Sequence, residues 1–202
     1  LKPGSAMDLA TGFNFSDSKD QQRAWKILQQ ESPHLVMLSP PCTARSKIRA
    51  ISDWKRDPKI VAAEREATRK HMEFCADIAK YQYRAGRGFV LERPKGTGED
   101  KEKEMMSLTK LPSVQTVSVD MCEHGLRERL GDGSQSGLVR HASTIVTNVP
   151  EIAEAIQRRC SGLHKHHVLE GSFQDTAGSE ICQWLCGCNT QRSEEILSEG
   201  WQ

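Results

Sequence analysis

The chain has 202 residues, which suits one domain with a substantial core and a small appendage. Its 28 Lys and Arg residues balance 27 Asp and Glu residues, so net charge alone would not draw it onto a polyanion. No apolar run approaches the roughly 20 residues that span a bilayer, and no signal peptide is recognisable. We therefore expect an intracellular protein, nuclear or cytoplasmic, without a membrane partner.

The chain contains seven cysteines, an odd number, and no secretion signal accompanies them. Both observations favour reduced thiols in an intracellular setting. The chain begins without an initiator Met, which suggests a piece of a longer protein. We predict an α/β domain over 1–170 and a C-terminal helical tail over 171–202.

Apolar runs and turn residues predict alternating elements in the first half of the chain. A short strand over 5–9 is followed by a helix over 18–30 and by an apolar strand over 34–39, which Pro40 and Pro41 end. The next predicted elements are a long helix over 58–84, with an apolar stripe that includes Ile60, and a strand over 89–92.

The second half continues the same alternation. A charged loop with a short helix over 95–110 precedes an alternating strand over 114–119, and a Gly/Ser-rich flexible loop over 131–137 follows. A strand over 143–147 then leads into a helix that we expect Asn148 to cap. Strands alternating with helices predict a Rossmann-like α/β fold, a mostly parallel sheet with helices on both faces.

Three predicted strands end in or beside residues that carry chemistry, namely Asp8, Cys42 and Glu92. Ligands of open parallel sheets bind outside the carboxyl ends of the strands, so we expect these residues to meet at one edge. Cys42 follows a rigid double proline and precedes Arg45, and nearby positive charge favours the nucleophilic thiolate. The alternative is an ordinary cysteine that packs as a small hydrophobe.

The segment around Cys42, Leu-Ser-Pro-Pro-Cys-Thr-Ala-Arg-Ser, resembles the Pro-Cys loop of DNA cytosine-5 methyltransferases. Glu92 falls where that family places Glu-Asn-Val, and Asp8 falls where it has an acidic residue for the cofactor ribose. The order of motifs is similar to a divergent methyltransferase-like domain of retroelement-type polyproteins, over about residues 4–167. Those motifs are Pro-Gly-x-Ala-x-Asp-Leu, Ser-Pro-Pro-Cys-Thr, Asp-x-Cys-x-x-Gly, Thr-Asn-x-x-Glu-Ile-Ala and Arg-Arg-Cys-x-Gly-x-His-x-His.

The resemblance implies a specific reaction on cytosine in DNA. The Cys42 thiolate would add to C6, while Glu92 would hydrogen-bond N3 and the exocyclic amine. S-adenosylmethionine, held on the side of Asp8 and Pro41, would supply the methyl group. The target base would have to leave the helix stack to reach the thiol.

The sequence also departs from the family pattern, which keeps other functions open. No Gly-rich motif precedes Asp8, Thr43 replaces the family's Gln, and Arg93 and Pro94 replace Asn-Val. The main alternative is a non-catalytic nucleic-acid-binding or scaffold module of a retroelement polyprotein with structural Cys and His residues. Another thiol enzyme is a third alternative, although no His and Asn are arranged to activate Cys42.

A second group of residues has the chemistry of a metal site. Cys160, His164 and His166 lie within seven residues of each other, and Cys122 lies upstream. Zinc favours Cys and His ligands, and a structural site needs four of them. These four could bind zinc if the segment around Cys122 lies near the turn after Cys160; otherwise they are surface residues.

A basic stretch follows directly after Cys42. Arg45, Lys47 and Arg49 could contact phosphates of nucleic acid, and Trp54 could stack on a base. The alternative is that these scattered charges belong to an ordinary solvated loop. The resemblance to cytosine-5 methyltransferases makes DNA the expected partner.

Overall fold

A four-stranded mixed sheet organises the computed structural model, which describes residues 4–41, 53–95 and 103–167. The strand order is β1-β2-β6-β3; β1 pairs parallel with β2, and β6 is antiparallel to both β2 and β3. Three strands therefore point one way and β6 points the other way. The strands are β1 (Leu35–Leu38), β2 (Gly88–Pro94), β3 (Gln115–Asp120) and β6 (Ala142–Thr147).

The described α-helices begin and end close to where the sequence predicts them. Asp17 caps α1 by accepting a hydrogen bond from the backbone N–H of Lys19, and Pro58 occupies the first turn of α2, where its missing N–H costs nothing. The helices are α1 (Ser18–Glu31), α2 (Pro58–Arg84), α3 (Lys103–Thr109) and α4 (Pro150–Ile156). Within the described residues, no helix is long and apolar enough to cross a membrane.

The core has two layers because the side chains of each strand alternate between the faces of the sheet. Phe89 and Leu91 face α1, α2 and α3, whereas Val90 and Ile145 face α4. The prediction of helices on both faces is confirmed, although α4 covers its face alone among the described helices. Buried residues of the first layer include Leu28, Met72, Phe74, Ile78, Met105, Leu108 and Val146; those of the second include Val117, Val119, Met121, Ala153 and Ile156.

A small three-stranded sheet, absent from the sequence prediction, follows β3. Its order is β4 (Arg127–Arg129), β5 (Gln135–Val139) and β7 (His166–His167), with β4 and β5 antiparallel and β5 and β7 parallel. The predicted flexible loop over 131–137 is thus the turn and start of a hairpin. A three-residue strand and a two-residue strand are too short to leave a periodic signal in sequence.

Three further expectations about local structure are wrong. Residues 5–9 form no strand, and Asp8 instead starts a turn. Asn148 does not cap α4, because its side chain bonds the backbone of Arg87 and Phe89. Ile60 is 52% exposed, and Val61 faces the core in its place. The expectation of a mostly parallel sheet is met in part, since three of the four strands point one way and the strand over 143–147 runs antiparallel to its neighbours.

Candidate functional site

The pairing of β1 with β2 brings two polar side chains together at the carboxyl edge of the sheet. Leu38 lies opposite Leu91, so the residues that follow them, Ser39 and Glu92, are neighbours on the α4 side of the sheet. The Ser39 hydroxyl donates a 2.8 Å hydrogen bond to Oε2 of Glu92. Ser143, on β6, donates a 2.7 Å hydrogen bond to Oε1 of the same carboxyl group. Three strands therefore position Glu92.

Glu92 is almost completely buried, with 2% of its surface exposed. Burial raises the pKa of its carboxyl group, and this outweighs the opposing effects of the Ser143 and Ser39 hydroxyls and of the Arg93 charge. A carboxyl group with a raised pKa retains its proton more readily and can then donate a hydrogen bond. Glu92 is therefore suited to act as a donor to a ring nitrogen as well as an acceptor.

Cys42, Arg45, Lys47 and Arg49 lie outside the described residues, as does the predicted tail over 171–202. Ser39, which lies three residues before Cys42 in the sequence, is described and contacts Glu92.

The residues expected on the cofactor side are both exposed among the described residues. Asp8 is exposed, and its carboxylate accepts a 2.8 Å hydrogen bond from the backbone N–H of Thr11 within a local turn. Pro41 is also exposed, directly after β1. The described hydrogen bonds thus join Ser39, Glu92 and Ser143, whereas those given for Asp8 stay within its own turn.

Trp54 lies away from the sheet, in a short 3₁₀ helix before α2. It is 78% exposed, and the Lys55 ammonium group lies 5.1 Å from the centroid of its ring. Arg56 and Arg65 line an open groove beside it and are paired with Glu64 and Asp53, respectively. An exposed aromatic ring of this kind is available for stacking.

The second predicted group, Cys122, Cys160, His164 and His166, is assembled as expected. One ligand atom from each residue lies within 4.8 Å of all the others. Sγ of Cys160 is 3.7 Å from Nε2 of His164 and 3.4 Å from Nε2 of His166, and the two Nε2 atoms are 3.0 Å apart. Among the described residues, this is the group of Cys and His that could hold a metal ion.

These separations agree with the edges of a small coordination tetrahedron. Bonds of about 2.3 Å from zinc to sulfur and 2.0–2.1 Å to nitrogen place a sulfur and a nitrogen ligand about 3.5 Å apart, and two nitrogens about 3.3 Å apart. The measured 3.4, 3.7 and 3.0 Å lie close to these values. The donor set therefore suits a four-coordinate ion, and the separations among Cys160, His164 and His166 agree with its geometry.

Short segments carry the four ligands. Cys122 lies in the 3₁₀ turn Met121–His124, which follows β3 and ends at Gly125 in the left-handed conformation. The loop after α4 carries Cys160 and His164, and β7 carries His166. The metal-site residues therefore join the end of the main sheet to the small sheet.

Two carboxylates hold the loop that carries the ligands. Asp120, buried at the end of β3, accepts hydrogen bonds from the backbone N–H of Cys160 at 2.9 Å and from the Arg159 guanidinium group at 2.8 Å. Burial alone would raise the pKa of Asp120, but these hydrogen bonds outweigh it and keep the pKa below its ordinary value. Glu123 accepts hydrogen bonds from the backbone N–H and hydroxyl of Ser161, which lower its own pKa.

The Cys122 thiol is poorly suited to ionise without a cation beside it. Burial raises the pKa of Cys122 to about 11, and the neighbouring Cys160 thiol adds to the effect. A bound metal reverses this preference, because a coordinating thiol is deprotonated by the charge of the ion.

The two sites are adjacent along the edge of the sheet. The backbone N–H of Met121, next to the metal-site cysteine, donates a 2.8 Å hydrogen bond to the carbonyl of His141. The carbonyl of Ala142 accepts a bond from Lys95, and Ser143 then contacts Glu92. One backbone segment, 141–143, therefore links the Cys/His group to the buried glutamate.

Sequence reasoning missed the supporting residues of both sites. Ser39 and Ser143 have no distinctive spacing, and only the strand register reveals them. Asp120 could have been recognised, since an acidic residue at the end of an alternating strand lies beside Cys122 in the motif Asp-x-Cys-x-x-Gly.

No protein-family model matches the chain, and no curated protein or solved structure is significantly similar to it.

Proposed function

We propose that the chain is a cytosine-5 methyltransferase-like domain that acts on DNA, with Cys42 as nucleophile and Glu92 as its partner. The supporting observation is the hydrogen bond from Ser39 to the buried Glu92. Ser39 lies three residues before Cys42 in the sequence, and burial raises the pKa of the Glu92 carboxyl group that it contacts. We further propose a Rossmann-like fold, which agrees with a site at the carboxyl ends of adjacent parallel strands.

The proposed covalent step needs these two residues. The Cys42 thiolate forms a bond to C6 of cytosine, and the electron pair of the C5–C6 double bond moves toward C5. The protonated Glu92 donates to N3, where negative charge would otherwise accumulate, and accepts from the exocyclic amine. A bond to N3 requires the proton that burial helps Glu92 to keep.

The methyl donor implied by the resemblance is S-adenosylmethionine, which would supply an electrophilic methyl group for C5 and leave as S-adenosylhomocysteine. Loss of the C5 proton to a base would then let the C5–C6 double bond re-form and release the Cys42 thiolate. Asp8 and Pro41, the residues that the resemblance places beside the cofactor, are both exposed. Calorimetry on the full chain measures cofactor binding separately from catalysis.

Covalent trapping tests the catalytic proposal. The full chain is incubated with S-adenosylmethionine and duplex DNA that contains 5-fluorocytosine, and adducts stable to denaturation are counted. We expect an adduct that disappears in Cys42→Ala and forms at least about 100-fold more slowly in Glu92→Gln. Cys75→Ala, which changes a thiol within α2, should trap normally. Absence of any adduct that depends on Cys42 would overturn the proposal.

A second candidate is a non-catalytic nucleic-acid-binding or scaffold module. The observation that favours it is the Cys/His group, whose four protein ligands leave no position for a substrate. We propose that the group binds structural zinc in either case. Elemental analysis of the purified chain should give about one equivalent of zinc, and less than about half an equivalent would contradict the assignment.

A further inference from the structure

The imidazole ring of His141 has a buried nitrogen without a hydrogen-bond partner. Its Nε2 atom is covered from solvent, and none of the described residues donates to it or accepts from it. Buried polar atoms are hydrogen-bonded in the great majority of cases, because an unpaired one costs stability. Exceptions include catalytic groups, which keep an atom free for the reaction.

The strand register places His141 on the same face of the sheet as Glu92. The backbone N–H of Met121 donates to the carbonyl of His141 at 2.8 Å, which continues the pairing of β3 with β6 by one position. Opposite residues of an antiparallel pair share a face, and Met121 packs in the core layer under α4. His141 therefore lies on the α4 side, two positions before Ser143, which donates to Glu92. Two positions along a strand correspond to about 7 Å.

Burial also keeps the imidazole of His141 neutral. It lowers the pKa of the ring below its ordinary value of about 6.5, so the uncharged form predominates at neutral pH. In the tautomer that carries its proton on Nδ1, Nε2 presents a lone pair. A general base needs such a lone pair, and it must be unoccupied when the proton arrives.

The neighbouring carboxylates are engaged in other ways. Both oxygens of Glu92 accept hydrogen bonds from hydroxyl groups, and the proposed function uses this carboxyl group at N3 and the exocyclic amine. Asp120 accepts hydrogen bonds from the metal-site loop after α4, and its pairing with Ala142 puts it on the other face of the sheet. Loss of the C5 proton is the step of the proposed reaction that still lacks an assigned group.

We propose that His141 is the base that removes the C5 proton once the methyl group is on C5. The inference rests on the proposed function and adds a catalytic residue to it. The Nε2 lone pair takes the proton, and the electron pair of the C5–H bond forms the C5–C6 double bond. The electron pair of the C6–S bond returns to the sulfur of Cys42. The proton on Nε2 then passes to water, which restores the neutral imidazole.

Release of tritium from C5 of cytosine measures this step directly. The full chain is mixed with S-adenosylmethionine and duplex DNA whose cytosines carry tritium at C5, under single-turnover conditions. We expect His141→Gln and His141→Ala to release tritium at least about 100-fold more slowly than the wild type. Added imidazole should restore part of the rate in His141→Ala, because it can enter the space that the side chain leaves.

Trapping with 5-fluorocytosine separates this inference from the proposed function. Fluorocytosine has no C5 proton, so its reaction stops after attack by Cys42 and methyl transfer. His141→Gln should therefore form the Cys42 adduct at the wild-type rate. Loss of trapping together with tritium release would overturn the inference, because His141 would then act before proton removal.

His71→Gln is the matched control. His71 is a half-buried histidine on α2 whose pKa burial also lowers, and its Nε2 atom lies 3.1 Å from the Ser16 hydroxyl. This variant should release tritium as the wild type does. Wild-type release in His141→Gln with normal trapping would overturn the assignment of the base and leave the proposed function in place. Absence of a Cys42 adduct in the wild type would overturn both.

Discussion

Two neighbouring regions at the carboxyl edge of the sheet are stabilised in different ways. Glu92 is held by hydroxyl groups from two other chain segments, β6 and the end of β1, and its geometry follows from the register of paired strands. Cys122, Cys160, His164 and His166 come from short segments with little regular structure. The comparison shows that strand register can position one buried group, whereas the other group converges from short segments and could hold a metal ion.

The difference extends to ionisation. Burial raises the pKa of Glu92, so the folded protein favours the neutral, protonated form of this carboxyl group more than an exposed position would. The Cys/His group instead requires deprotonated thiols, although burial raises the pKa of Cys122 to about 11. Acid should therefore favour the first region and weaken metal binding at the second.

The largest effect on stability should follow removal of the zinc ion that we propose. We expect Cys160→Ser, or treatment with a strong chelator, to release zinc and to lower the free energy of unfolding by more than about 4 kcal/mol, because the small sheet loses its connection to β3. Thermal unfolding and elemental analysis measure the two effects. Cys75→Ala is the control and should keep its metal; a Cys160→Ser variant of wild-type stability would show that strand pairing suffices.

A smaller effect should follow loss of the carboxylate behind the metal-site loop. Asp120→Asn removes the acceptor for Cys160 and Arg159, and we expect zinc affinity to fall about 10–100-fold and stability to fall by about 1–3 kcal/mol. Chelator competition gives the affinity. Asp132→Asn, in the turn between β4 and β5, should have little effect on zinc affinity. Equal losses in the two variants would mean that Asp120 does not orient the ligand loop.

The pH dependence of stability should reveal the raised pKa of Glu92. Its folded-state pKa is raised, so ionisation penalises the folded state once the pH passes the ordinary carboxyl pKa of about 4.3. Glu92→Gln removes this penalty, and its melting temperature relative to wild type should rise by about 2–4 °C between pH 4 and pH 8. Glu154→Gln, exposed on α4, should show no such trend. A difference that falls with rising pH would contradict the raised pKa.

The smallest effect on stability should follow removal of the Ser39 hydroxyl group, which donates a hydrogen bond to Glu92. Ser39→Ala removes one hydrogen bond to a buried carboxyl group, and we expect a loss of about 1 kcal/mol in urea unfolding. Ser143→Ala, at a fully buried position, should cost at least as much. In a double-mutant cycle, Ser39→Ala should lower the free energy of unfolding less when Glu92 is already replaced by Gln. Full additivity of the two changes would show that the Ser39 hydroxyl group does not stabilise the protein through Glu92.

The amino-acid sequence by itself determined the local elements with strong signals and the identity of the Cys and His residues that could hold a metal. The helix over 58–84 was readable because a proline opens it and apolar residues recur at helical spacing. Cys122, Cys160, His164 and His166 were recognisable because few residue types coordinate zinc and three of them are close in the chain. The role of Cys42 stays a prediction.

Only the tertiary structure decided the direction of β6, the hairpin of β4 and β5, and the surroundings of Glu92. Strand direction depends on how distant segments pair, and an apolar strand has the same pattern in either direction. Ser39 and Ser143 lie more than 50 residues from Glu92 in the chain, so their hydrogen bonds follow from the sheet register alone. Local patterns establish which segments become strands and which residues can bind a metal, whereas contacts between distant segments establish which side chains share a site.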